Sequence, residues 1–238
     1  MRSRTLAALS MAAALLVTGT AATQSAAAAV ASVEAEPADC PREQYRPTDD
    51  DKKKFYCGFK ELGPRTLPAG PVGKLLNGYY RFGGLTPQQF LSWYRDGLDW
   101  KYPAADGFRE VNGTVDQAVA TVPKDTKLDR FGSAGGRYLS TAGTAYSARA
   151  IPPDSLNPIP DAQGVPQDSY HCYVVVKEFK VLQGHIAAAF AQPGGGVQQW
   201  LKEDAALKPA ELGTDPYYVS SLLKYGFLDE KPATTCTG

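Results

Sequence analysis

The sequence predicts an α+β domain over residues 121–238, built of short antiparallel strands with few helices and preceded by an aromatic-rich extension over residues 40–120. Three observations predict it. After Thr121 the chain breaks into short β-branched and aromatic segments separated by Gly and Pro. Only residues 86–95 and 216–228 carry helix signals. Between Cys40 and Thr121 aromatics such as Tyr80, Phe82, Phe90, Trp93, Tyr94, Trp100 and Tyr102 lie among Gly and Pro with no sustained periodicity, as expected of an irregular subdomain packed by its rings.

In chain order, Arg2 and Arg4 precede an apolar run from Leu6 to Val17 and a small-residue stretch with A-x-A sites, the order of a secretory signal peptide over residues 1–29. That run is too short to span a bilayer, and no later one is long enough. The expected product is therefore secreted and extracellular, with no membrane segment after cleavage. Residues 30–39, small and acidic, read as a flexible leader. In the extension Thr86 caps a helix, Pro87 takes its first turn, and residues 88–95 continue it with Phe90, Leu91 and Tyr94 on one face. Asn112-Gly113-Thr114 is a glycosylation acceptor sequence, meaningful only in a eukaryotic host. Beyond Thr121 strands are expected at 127–131, 136–140, 169–177 and 184–190, the third carrying three successive valines. A helix is expected over 216–228, with Gly226 closing it.

Charge excludes one class of function. Lys and Arg number 25 against 25 Asp and Glu, and the signal peptide removes two arginines and no acid, leaving no basic footprint for nucleic acid. The four cysteines, Cys40, Cys57, Cys172 and Cys236, are an even number in an exported chain, which argues for two disulfides. Of the three pairings, Cys40 with Cys57 and Cys172 with Cys236 is preferred, the first being local and the second tying the tail to an apolar strand. No C-x-x-C pair is present, and His171 beside Cys172 is not zinc-ligand spacing.

Familiar catalytic signatures such as G-x-S-x-G, H-E-x-x-H and the Walker loop are missing, and two histidines, His171 and His185, offer little to a triad or a metal site. Two glycine-rich segments remain. In residues 128–140, followed by Arg149, arginines could grip a phosphate by paired hydrogen bonds. If 136–140 is a strand, Arg137 and Tyr138 point to opposite faces, so at most one arginine of Arg130 and Arg137 shares a wall with Tyr138. In residues 192–198 three glycines permit close backbone approach to a ligand, and Gln192 and Gln198 offer donors and acceptors. An ordinary hairpin and a plain loop account for the same patterns.

The blocks Asp129-Arg130-Phe131-Gly132, Gly136-Arg137-Tyr138-Leu139-Ser140, Arg149 with 151–156, Tyr170-His171-x-Tyr173 and Gln192-Pro193-Gly194-Gly195-Gly196-x-Gln198, in this order, resemble the tuberculosis necrotizing toxin domain family over roughly residues 121–230. Residues 80–86 and Tyr102-Pro103-x-x-Asp106-Gly107-Phe108 are similar to the extension of its exported members. The resemblance implies an NAD glycohydrolase, a toxin in some members, that cleaves NAD+ and NADP+ to nicotinamide and ADP-ribose (phosphate) and requires no cofactor. It carries over Gln198, Arg130, Tyr138 and His171 as catalytic positions and Arg149, Phe131, Gln192 and Gly195 as substrate-binding ones. Arg130 and Arg149 would hold the pyrophosphate, Tyr138 would pack on nicotinamide or ribose, and Gln198 would bond a ribose hydroxyl or position water. Exported fungal members also suggest a homodimer and a calcium site matching Asp229 and Glu230, though an exposed acidic pair is their ordinary reading. The resemblance also allows for an immunity protein as partner, which the residues themselves do not identify. An insertion at 159–165 departs from the family's pattern just before His171. ADP-ribosyl transfer, and a non-enzymatic nucleotide-binding or adhesion module, are the competing functions.

Overall fold

A computed structural model describes residues 40–41 and 47–238. The expected signal peptide and leader lie outside the described residues. The domain is built on one seven-stranded antiparallel sheet, formed by β1 (Ala118–Val122), β2 (Lys127–Phe131), β3 (Tyr138–Thr141), β4 (Tyr170–Val175), β5 (Phe179–His185), β6 (Val197–Trp200) and β7 (Leu228–Lys231). Their order across the sheet is β7-β4-β2-β3-β6-β5-β1. This is the α+β architecture expected, with helices of at most eight residues.

Register decides which residues meet. Cys172 pairs with Asp129, Asp129 with Ser140, Ser140 with Gln198 and Gln198 with Gly184, so one row of Cβ positions crosses five strands on a single face. That row ends at Gly184 because a Cβ there would lie 1.8 Å from the Asp116 carbonyl oxygen. Alternation sends Leu128, Leu139 and Tyr173 to the opposite face, where they join Val181, Leu201 and Leu222 in one core. Phe131, Tyr170 and Cys172 pack with Tyr146, Leu156 and Cys236 in the second.

The two disulfides are Cys40–Cys57 and Cys172–Cys236, the preferred pairing. The first sits in a third cluster with Phe59, Leu62, Phe82 and Phe90, all from the extension, to which the domain contributes Phe190. Tyr94, Trp100 and Tyr102 meet the Phe190 ring at 5.3, 5.6 and 5.4 Å, so Phe190 is the domain's anchor for this part of the extension.

The helix Pro87–Tyr94 follows its signals closely: Thr86 and Gln89 form a reciprocal capping box and Phe90 is fully buried. Elsewhere boundaries shift for physical reasons. The strand expected at 184–190 is instead Phe179–His185, whose inward positions are Phe179 and Val181. After it Phe190 and Ala191 take positive φ, which carries the chain out of the sheet and Phe190 into the extension's cluster. The helix expected over 216–228 is only Val219–Lys224. Tyr218 is still extended, Gly226 closes the helix at φ 70°, and Leu228 has already joined β7. The expected strand 136–140 begins at Tyr138, because Gly136 sits against the Arg130 guanidinium.

Candidate active site

A cleft of about 620 Å³ opens over the Asp129–Ser140–Gln198 row. Its floor includes Phe131, Tyr138 and Arg149, and one wall is the segment 102–107 of the extension. The volume lies within the range of about 300–1,000 Å³ usual for small-molecule sites. A second hollow of about 570 Å³ lies in the extension between Phe55, Lys60, Leu91 and Arg95, and holds none of the candidate site residues.

Arg130 enters the cleft indirectly. It is the register partner of His171, so its Cβ leaves the face opposite to that of Asp129 and Gln198. The guanidinium curls round the open end of the β2–β3 hairpin, donating from Nε to the Ser133 carbonyl at 2.7 Å and from Nη1 to the Tyr138 carbonyl at 2.8 Å. Gly136 makes room for it: a Cβ there would lie 1.9 Å from Nη2. No partner among the described residues occupies Nη2, which leaves donors for a ligand. Burial lowers the Arg130 pKa. Arg137 lies elsewhere, over the Tyr218 ring at 4.6 Å, so one arginine of the two shares the cleft with Tyr138.

Tyr138 stacks parallel on Trp200, with ring centroids 6.1 Å apart and planes 7° from parallel, and leaves 37% of its surface open. Burial raises its hydroxyl pKa, and the nearby Asp106 carboxylate adds to the effect. Gln198 is 7% exposed, and its Nε2 donates to the Asp106 carbonyl at 3.1 Å. That bond fixes the amide's orientation and leaves Oε1 without a partner among the described residues.

Beneath them lies a network the sequence reading did not assign. Asp129 is fully buried, its Oδ1 2.7 Å from Nη1 of Arg149, which is 3% exposed. Asp129 Oδ2 accepts from the Tyr170 hydroxyl at 2.8 Å and the Gly143 amide at 3.0 Å. Arg149 also donates from Nε and Nη2 to the Thr144 carbonyl and lies over the Phe131 ring at 5.2 Å. Its charge is therefore already matched within the protein. An acid in the middle of the otherwise inward-facing strand Leu128–Phe131 was the available signal.

The remaining expected residues fall outside the cleft lining. His171 holds Glu230 Oε1 at 2.6 Å through Nδ1, and its Nε2 is buried without a hydrogen bond. Gln192 donates to the Tyr80 carbonyl at 2.8 Å and so ties the extension down. Of the glycines of the 194–196 loop, Gly194 and Gly196 approach protein, whereas a Cβ on Gly195 would meet nothing within 4 Å. A Cβ on Gly194 would lie 2.5 Å from the Ala187 carbonyl oxygen and one on Gly196 2.8 Å from that of Ala148, while the Gly195 amide donates to Ile186. Asp229 pairs with Lys231 at 2.5 Å, and no group of three or more potential metal ligands occurs among the described residues. Calcium takes about six to eight oxygens, more than these two carboxylates alone supply. His185, expected to be structural, bonds Asp116 at 2.8 Å.

The fold and cleft define an α+β domain with a ligand-sized cleft lined by two arginines, of which Arg149 is paired with Asp129 and Arg130 has no carboxylate partner among the described residues. Residues 121–230 match the model of the tuberculosis necrotizing toxin family. The chain is 41% identical over 152 residues to the conidial surface nicotinamide adenine dinucleotide glycohydrolase nadA of Aspergillus fumigatus, a match covering 60% of this chain and 63% of that protein. It thus spans a little under two thirds of that relative's length. Among solved structures, tuberculosis necrotizing toxin complexed with its immunity factor IFT is 17% identical, with a TM-score of 0.42 over 85% of this chain and 98% of that one. Tse6 in complex with Tsi6 is 18% identical, with a TM-score of 0.27 over 58% and 96%.

Proposed function

We propose that this protein is an exported NAD(P) glycohydrolase, which transfers the ADP-ribosyl group of NAD+ or NADP+ to water. The observation that carries the reading is the convergence of Arg130, Tyr138 and Gln198, from three separate sequence blocks, on one ligand-sized cleft. The match of residues 121–230 to the toxin family and the 41% identity to an NAD glycohydrolase support it. Export rests on the signal-like first 29 residues and on that relative's surface location; among the described residues no helix is long and apolar enough to cross a membrane. A homodimer and an immunity protein are partners read from the family alone.

The chemistry suits so spare a site. Nicotinamide is cationic in NAD+ and leaves neutral, so the leaving group needs no proton and a paired acid and base are not required. The C1′–N bond breaks with its electron pair going to the nicotinamide nitrogen. Water then adds to the ribosyl carbon and loses a proton to solvent. Arg130 offers its unfilled donors to the pyrophosphate. The Tyr138–Trp200 stack gives a flat surface for nicotinamide, and Gln198 Oε1 accepts from a ribose hydroxyl or the attacking water. Arg149 serves chiefly as the partner of Asp129 and as cleft wall beside Phe131. His171, outside the lining, is a positioning residue that braces Arg130 from the neighbouring strand.

Chromatography of NAD and NADP incubated with the purified protein tests the reading: nicotinamide should appear from at least one, and none above blank at micromolar protein contradicts it. Arg130→Lys is expected to raise the Michaelis constant for NAD more than it lowers turnover. A pyrophosphate carries the same charge in ground and transition states, and Lys cannot reproduce a fork that bonds two loop carbonyls at once. A steep loss of turnover at constant Michaelis constant would put Arg130 at the reacting ribose instead.

A further inference from the structure

The extension contributes more than packing to the cleft. Two carboxylates line it, Asp129 and Asp106, and they differ in availability. Asp129 is spent on Arg149, Tyr170 and Gly143. Asp106 is exposed, and its carboxylate has no hydrogen-bond or ion-pair partner among the described residues. It sits on an unusual turn: Ala105, Asp106 and Gly107 take φ of 53°, 55° and 81° in succession, two of them side chains that rarely adopt such values. Strained backbone of this kind persists only where its surroundings over-determine it. Here they do. Gln198 Nε2 donates to the Asp106 carbonyl, the Ala187 amide to the Gly107 carbonyl, and the Arg109 amide to His185, while Phe108 forms a bridge with Ile186. The turn is thus clamped to Gln198 on the cleft floor and to the end of β5, holding a free carboxylate on the side of the cleft that Tyr138 and Gln198 share.

From this geometry we infer that Asp106 is a catalytic carboxylate supplied by the extension, facing the ribose of the substrate and stabilising positive charge at its anomeric carbon as nicotinamide leaves. The inference rests on the glycohydrolase reading. In that reaction positive charge moves from the nicotinamide ring to the ribosyl carbon. A fixed anion beside the ribose favours the transition state electrostatically and needs neither to accept nor to donate a proton. Arg130, the other unmatched charge in the cleft, has the wrong sign for this task and the right one for the pyrophosphate.

The test is Asp106→Asn in the full chain, assayed for nicotinamide release over a range of NAD concentrations, with Asp125→Asn as control. Asn keeps the side-chain shape and tolerates positive φ, so the substitution removes charge alone. Asp125 is exposed at φ 66° in the β1–β2 turn and does not line the cleft, so it reports what the same change costs a turn residue. The expected result is a fall in turnover of at least about tenfold for Asp106→Asn. Its Michaelis constant should stay within about threefold and its thermal midpoint within about 2 °C, with Asp125→Asn unchanged in all three. Turnover within about twofold of wild type would overturn the inference and leave Asp106 as turn chemistry. A loss of turnover tracking a loss of thermal midpoint would overturn it as well. Wild type is assayed first: no nicotinamide there removes the glycohydrolase reading, whereas an active wild type with an equally active Asp106→Asn removes only this assignment.

Discussion

Replacing Gln198 by Ala is expected to lower NAD turnover by roughly a hundredfold or more while leaving the fold intact, the scale of losing one preorganised transition-state contact. Gln198 is 7% exposed, and its amide orientation is fixed by donation to the Asp106 carbonyl, so Oε1 is presented without prior reorganisation. Alanine removes that acceptor and frees the 105–107 turn that forms the facing wall. Loss of the single hydrogen bond should cost only about 0.5–1.5 kcal/mol in stability, so thermal unfolding separates a chemical effect from a folding one. A Gln198→Ala protein with near-wild-type turnover would take Gln198 out of the catalytic set.

The largest stability effect should come from Asp129→Ala. Asp129 is fully buried and Arg149 nearly so, and removing one partner of such a pair leaves an uncompensated charge in the interior, which typically costs about 3–5 kcal/mol. The Tyr170 hydroxyl and the Gly143 amide lose their acceptor at the same time. For a chain of this size the thermal midpoint should fall by on the order of 10 °C. Asp129→Leu combined with Arg149→Met should recover part of that loss, because replacing both charges by apolar groups removes the penalty along with the attraction. An Asp129→Ala midpoint within about 2 °C of wild type would mean that Arg149 finds another anion or reaches water.

What the sequence made legible was chemistry carried by local pattern. The cap at Thr86, the pairing of four cysteines, the strand Lys127–Phe131 and the closing glycine at 226 are each signalled by the residue types themselves, and each is found in the structure. Asn112-Gly113, whose φ values of 52° and 76° make the turn between Glu110–Val111 and Thr114–Val115, is a hairpin signal as well as part of a glycosylation acceptor sequence. What stayed hidden depended on long-range register. Nothing local says that Asp129, Ser140 and Gln198 share a row, that Arg130 reaches the cleft from the far face, or that His171 is held away from it by Glu230. In the 194–196 loop the close approach of Gly194 and Gly196 is to Ala187 and Ala148 of the protein itself, whereas Gly195 faces open space. Nor could pattern show that residues 102–107 of the extension complete the cleft.

The central claim, that this cleft hydrolyses the nicotinamide–ribose bond, is tested most directly by the stoichiometry of products from NAD in buffer with no added acceptor. Nicotinamide and free ADP-ribose should appear in equal amounts, both should continue over many turnovers per protein, and both should fall together in Gln198→Ala. Nicotinamide without matching free ADP-ribose, with the label retained on protein, would show transfer to a macromolecule, and tight NAD binding with neither product would show a binding module; either result contradicts the account.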